Sequence, residues 1–164
     1  MKKQFRTVLA CLALTTLLAG CGNTNTAPST PNASETVQTD LTSQQVVNEI
    51  TEGMDFQNHM TLDAEMLKDY YGIDESILED YYVQFPMMSF QITEIGIFRV
   101  KDANDTSKIV DCINQRAKDV GHSLYPSLEE TYEARVVSVK GNYVLFAIAD
   151  NSASIESAFS SLIK

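Results

Sequence analysis

The chain contains no tryptophan, only two histidines and three cysteines, and 12 lysines and arginines against 22 aspartates and glutamates. Each shortage excludes something. Nucleic-acid binding rests on Lys and Arg neutralising phosphates, and a chain of net charge −10 is repelled by them. Two histidines leave few ways to pair a nucleophile with a base. G-x-S-x-G, H-E-x-x-H and a phosphate-cradling glycine loop are all missing. No apolar run reaches the roughly 20 residues of a membrane-spanning helix.

What stands at the N-terminus is shorter and more specific. Lys2, Lys3 and Arg6 form a basic segment, Thr7 to Leu18 an apolar one, and Leu18-Ala19-Gly20-Cys21 reads as a lipobox. The expectation is a lipoprotein signal peptide over residues 1–20, cleaved before Cys21, with lipid added to the Cys21 thiol. Cleavage removes three cations and no acid, leaving a net charge of −13. Attachment to the outer face of the bacterial cell membrane then comes from the lipid rather than from a basic patch. Cys11 departs with the signal segment and Cys21 is acylated. Only Cys112 remains, so no internal disulfide is expected, and a buried, inert thiol is.

Residues 21–40, rich in Thr, Asn, Ser and Pro, read as a tether. Its 19 residues after the cysteine reach roughly 25 Å root-mean-square. A single domain is expected over 41–164. Thr42 and Gln45 make a capping box, with Val46, Val47, Ile50 and Met54 as an apolar helical stripe. Leu62, Met66, Leu67 and Tyr70 give a second helix, ended by Gly72, and Asp74 caps one more turn. Strands follow at Tyr81–Phe85 and Gln91–Lys101. Asp102–Asp105 opens a helix lined by Ile109, Cys112, Ile113 and Val120 and ended by Gly121. Glu133–Lys140 and Tyr143–Ala149 form a hairpin about Gly141-Asn142. Asp150–Ser152 caps a last helix with Ile155, Ala158, Phe159 and Leu162 inside.

The expected class is α+β: a helical lead-in followed by two ββα-like units, forming an antiparallel sheet with helices on one face. A weak echo supports the pairing of units, since Phe98-Arg99-Val100-Lys101-Asp102 and Phe146-Ala147-Ile148-Ala149-Asp150 each precede a helix. A chance strand-to-helix junction is the plainer explanation of the echo.

Several segments together carry a resemblance: Tyr70-Tyr71-Gly72-Ile73-Asp74, Pro86-Met87-Met88, Glu94 through Asp102, Tyr125-Pro126, and Lys140-Gly141-Asn142-Tyr143-Val144. In order and spacing over roughly residues 44–164 the chain resembles the bacterial lipoproteins carrying the domain of unknown function 4358. The resemblance implies a cell-surface lipoprotein of a Gram-positive bacterium. It supplies no activity, substrate or catalytic residue.

Candidate sites weigh against plainer readings. The acidic stretch Asp63, Glu65, Asp69, Asp74, Glu75, Glu79, Asp80 lacks calcium-loop spacing. Asp102–Ile113 has Ser107 where such a loop needs glycine and Ile113 where it needs glutamate. His59 and the methionines Met54, Met60, Met66, Met87 and Met88 suit a soft metal, but methionine is a common core filler. No metal and no cofactor are expected, and no catalytic residue is assigned. With seven tyrosines and no tryptophan, tyrosine is the natural interface residue. Tyr71 and Tyr125, each beside a turn signal, are the candidate binding surface. The preferred reading is a non-enzymatic module for a protein or small-ligand partner of neutral or basic character. The alternative is a cell-envelope hydrolase using a carboxylate pair such as Asp74 and Glu79. A solute-binding transporter subunit ranks lower, because one domain has no second lobe to close.

Overall fold

A computed structural model describes residues 41–164. The signal segment, Cys21 and the tether lie outside the described residues. Thr42 caps helix α1 (Ser43–Ile50) through the expected reciprocal box with Gln45, and Val46, Val47 and Ile50 are buried on its inner side. Strand β1 (His59–Thr61) and helix α2 (Ala64–Tyr71) follow. Asp63 caps α2 at Met66 N, 2.9 Å away. Gly72 ends it with φ +68°, a left-handed backbone that suits a residue without Cβ. Asp74 caps a single 3₁₀ turn at Glu75–Ile77. Strand β2 (Leu78–Pro86) returns as β3 (Glu94–Val100). Asp102 caps the turn that enters helix α3 (Thr106–His122). A short helix α4 (Glu129–Glu133) leads into the hairpin of β4 (Val136–Lys140) and β5 (Tyr143–Ile148). Helix α5 (Ser152–Leu162) completes the described chain.

The five strands form one antiparallel sheet in the order β1-β2-β3-β5-β4. The α+β class, the helical lead-in and the antiparallel sheet are as expected. The placement of helices on one face is not, because helices cover both. Strand alternation explains this. The even-numbered residues of β3 and β5, among them Phe98, Val100, Val144, Phe146 and Ile148, pack with Leu67 and Tyr71 of α2 and Ile109 and Ile113 of α3. The odd-numbered residues Ile95, Ile97, Tyr143, Leu145 and Ala147 pack with Val46, Val47 and Ile50 of α1 and Ile155 and Phe159 of α5. Both central strands are apolar on both sides, so each side must be covered.

The order β2-β3-α3 and β4-β5-α5 matches two ββα units, yet α3 and α5 lie on opposite faces. A twofold axis normal to the sheet would superpose the strand pairs but leave the helices on one face. The units therefore share order and differ in handedness.

The N-terminal edge of the domain is tied down at one end of the sheet. Tyr143 Oη donates to the Leu41 carbonyl at 2.8 Å. Asp80 accepts from the Ser43 backbone N–H at 3.3 Å and from the Ser43 hydroxyl.

Candidate functional site

At the opposite end of β2, the β2–β3 connection is the most apolar exposed segment of the described surface. Met87 is 62% exposed, Phe90 59% and Met88 44%. From Tyr81 to Thr93 the sequence carries no charge. The segment overhangs a groove of about 370 Å³, lined on one side by Met87, Met88 and Gln91 and on the other by Tyr70 and Arg116. That volume falls within the range of small-ligand sites.

The floor is built from three elements. Glu94 opens β3 with its side chain fully buried and faces α2 and α3. Arg116 of α3 reaches it with Nε to Oε1 at 3.2 Å and Nη2 to Oε2 at 2.7 Å, a bidentate pair. The Tyr71 hydroxyl at the end of α2 donates to Glu94 Oε1. The guanidinium lies over Phe85, Tyr70 and Tyr71, at 4.8, 5.5 and 5.9 Å from the ring centroids. Burial pushes the Tyr71 hydroxyl well above its ordinary pKa, and the negative charge and hydrogen bond of Glu94 push it further. Burial opposes the charge on Arg116, but the hydrogen bond and charge of Glu94 outweigh it and the net shift is upward. The floor is thus a charged pair, neutral in sum, with a protonated phenol beside it.

The expected tyrosine surface needs correction. Tyr71 is 4% exposed and Tyr125 57%, so the two do not form one surface. Gly72 permits a turn, but Leu67 and Tyr71, at i and i+4, share the inner face of α2. Its neighbour Tyr70 is the ring presented to solvent, packed at a 37° tilt against Phe85 with the centroids 4.6 Å apart. Cys112, expected to be buried, is half-buried on α3. Burial, and then the charge of Asp111, raise its thiol pKa.

The other candidates are dispersed. Met54 packs on one face of the sheet and Met60 and Met66 on the other, so the soft-metal residues do not converge. His59 Nε2 lies 3.2 Å from the Thr93 carbonyl. Asp63, Asp74 and Asp102 each cap a helix or turn. Hydrogen bonds from Ser76 hold the Asp74 carboxyl below the ordinary carboxylate range. Among the described residues no group of three or more His, Cys, Asp or Glu is placed to hold a metal ion. A second cleft, of about 450 Å³, is lined by Ser127, Glu130, Thr131, Ala134 and Asp150, and both of its carboxylates lie open to solvent.

Sequence reasoning passed over Glu94 and Arg116. One signal was present. Arg116 falls on the stripe of Ile109, Cys112, Ile113 and Val120, a charge at an inward position, and Glu94 stands at the head of the apolar run Ile95-Gly96-Ile97-Phe98.

A family model described as a domain of unknown function (DUF4358) matches residues 52–149. That span covers α2, α3, the whole sheet and the groove. Comparison with curated proteins finds no match, and comparison with solved structures finds none either.

Proposed function

The chain belongs to the family of the domain of unknown function DUF4358, and from that premise we propose that it is a non-enzymatic binding module that takes its partner in the groove above Arg116. We further propose that it works at the outer face of a bacterial cell membrane, anchored by lipid on Cys21. The lipobox and the tether composition support the location. The observation that carries the binding reading is the exposure of Met87, Met88, Phe90 and Tyr70 around one groove. Such clustering supports an interaction site over ordinary surface.

Charge bears on the partner. The acidic chain repels anions at long range, and Asp119 on the groove wall does so at short range. A hydrolase needs a carboxyl group free to give or take a proton. The buried carboxylate of the groove is committed to Arg116 and Tyr71, Asp74 is a cap held below the ordinary range, and Glu79 is exposed.

In-cell crosslinking tests the reading. A photoreactive benzoylphenylalanine replacing Phe90 is expected to give one recurrent adduct that disappears with Tyr70→Ala. The same group replacing Ser160, on the far side of the sheet, is expected to give none. Equal adducts from both positions, or none from Phe90, overturn the groove assignment. For the anchor, Cys21→Ala is expected to abolish incorporation of labelled fatty acid. Undiminished labelling overturns the lipoprotein reading.

A further inference from the structure

We propose that the outer edge of β4 takes up an extended polypeptide as a further antiparallel strand, one that carries Lys or Arg toward its C-terminal end. This surface lies apart from the groove and does not depend on it.

The register fixes which backbone groups of β4 face outward. The Val100 N–H donates to the Asn142 carbonyl at 2.9 Å. Val144, two residues on, therefore turns its backbone groups to β3, and Tyr143 turns its own to β4. Tyr143, Leu145 and Ala147 pair with Lys140, Ser138 and Val136. That leaves the N–H and C=O of Val137 and Val139 pointing away from the sheet. Among the described residues β4 pairs with β5 alone, and no hydrogen bond meets those outward groups.

Groups that recur every second residue, about 7 Å apart, match another extended backbone. A helix keeps its backbone groups to itself, and a hydrocarbon laid on the edge would leave them unpaired at a cost. The sheet's other edge is blunted, since β1 is three residues long. β4 has five residues, with no proline, no register shift and no charge before Lys140. Val139 is 44% exposed and shares the side of Val137. An apolar guest residue beside it extends that side of the core.

Charge sets the ends of the guest. Helix α4, which leads into β4, exposes Glu129, Glu130 and Glu133, and Asp150 shares a cleft with Glu130. Among the described residues only Glu133 of these four has an ion-pair partner, Arg135 at 3.6 Å. An antiparallel guest runs from Lys140 toward Val136, so its C-terminal end meets these carboxylates. A second copy fits less well. Pairing β4 with itself joins two chains of net charge −10. It also sends their Leu41 ends to opposite ends of the joined sheet, whereas two lipid anchors would share one membrane.

The test uses the full-length protein in detergent and a fluorescein-labelled peptide amide, Thr-Val-Thr-Val-Thr-Lys-Lys. The peptide is expected to bind saturably by anisotropy and to slow deuterium exchange over residues 136–140. N-methylation of both valines, whose N–H groups face β4, is expected to weaken binding at least about tenfold, the loss of two hydrogen bonds. N-methylation of the second and third threonines, whose N–H groups face away, is expected to change it by less than about twofold. Glutamates in place of the lysines are expected to weaken it about threefold to tenfold. Val139→Pro removes an N–H that the hairpin does not use and is expected to abolish binding. Should that variant misfold, the two methylated peptides on the unmodified protein decide. Tyr70→Ala is expected to leave peptide binding unchanged. Equal effects of the two methylation patterns, or binding lost with Tyr70→Ala, overturn the edge assignment. Absence of saturable binding overturns it too. A dimer in sedimentation without peptide, dispersed by Val139→Pro, overturns the guest in favour of a second copy.

Discussion

Glu94 and Arg116, 22 residues apart, meet in a bidentate pair with the glutamate side chain wholly buried and the arginine 14% exposed. A buried charge whose partner is removed loses its compensation and cannot recover it from water. Arg116→Ala is therefore expected to cost about 3–5 kcal/mol, as is typical of breaking a buried pair from one side. Replacing both, as Glu94→Leu with Arg116→Met, is expected to be far less costly than either single change. Denaturant midpoints of the four proteins check this. Equal losses in the single and double variants would show that packing rather than charge dominates.

Tyr71 predicts a limit at alkaline pH. Its folded pKa is raised well above 10.0, first by burial and then by Glu94. Below the ordinary tyrosine value both folded and unfolded chains hold the proton, so this group's contribution is fully present. Between that value and the raised folded one, only the unfolded chain ionises, and stability falls by about 1.4 kcal/mol per pH unit. Tyr81 is raised in the same direction, so the informative quantity is a difference. The stability of Tyr71→Phe is expected to fall less steeply above about pH 10 than that of the unmodified protein. Parallel curves in urea titrations across that range would contradict the assignment.

Cys112 is expected to be a poor nucleophile. Burial raises its thiol pKa, and the Asp111 charge adds to the effect. Alkylation requires the thiolate. Iodoacetamide at pH 8 should modify Cys112 at least several-fold more slowly in the folded protein than in the same protein unfolded in guanidinium. A rate in the folded state matching or exceeding the unfolded one would point to an activated thiol and reopen the question of its role.

The sequence carries the elements more clearly than their arrangement. The Thr42–Gln45 box, the Gly72 stop, the Asp74 turn and the Gly141-Asn142 hairpin are local signals, and each appears where the local pattern places it. β1, three residues long, was not legible, because what makes His59, Met60 and Thr61 a strand is their pairing with Pro86, Phe85 and Gln84 of β2. Nor were the two helical layers. The apolar stretches Ile95–Phe98 of β3 and Tyr143–Ile148 of β5 hint at burial on both sides, but which helix covers which side depends on crossings no local pattern records. Tyr71 misled because a tyrosine before a glycine turn reads as presented, whereas helical phase turns it inward beside Leu67. The site itself joins β3, α2 and α3, and no local spacing in the chain marks such a meeting.

Gly96 links the backbone of β3 to the site. A Cβ added there would lie 3.0 and 3.1 Å from Phe98 ring carbons and 3.2 Å from Val83. The Phe98 ring therefore rests over Gly96 because no side chain intervenes, and its centroid stands 5.3 Å from that of Tyr71. Gly96→Ala is expected to crowd the Phe98 ring, which packs on Tyr71, whose hydroxyl is held to Glu94. The expected cost is about 1–3 kcal/mol, as for overpacking a filled core. If the ring is the cause, Phe98→Leu in the Gly96→Ala background should cost less than Phe98→Leu alone, since the smaller side chain gives the new methyl room. Thermal melts of the two single variants and the double variant decide the point. Strictly additive losses would show that backbone strain or Val83, rather than the Phe98 ring, meets the methyl group, and would detach Gly96 from the support of Tyr71.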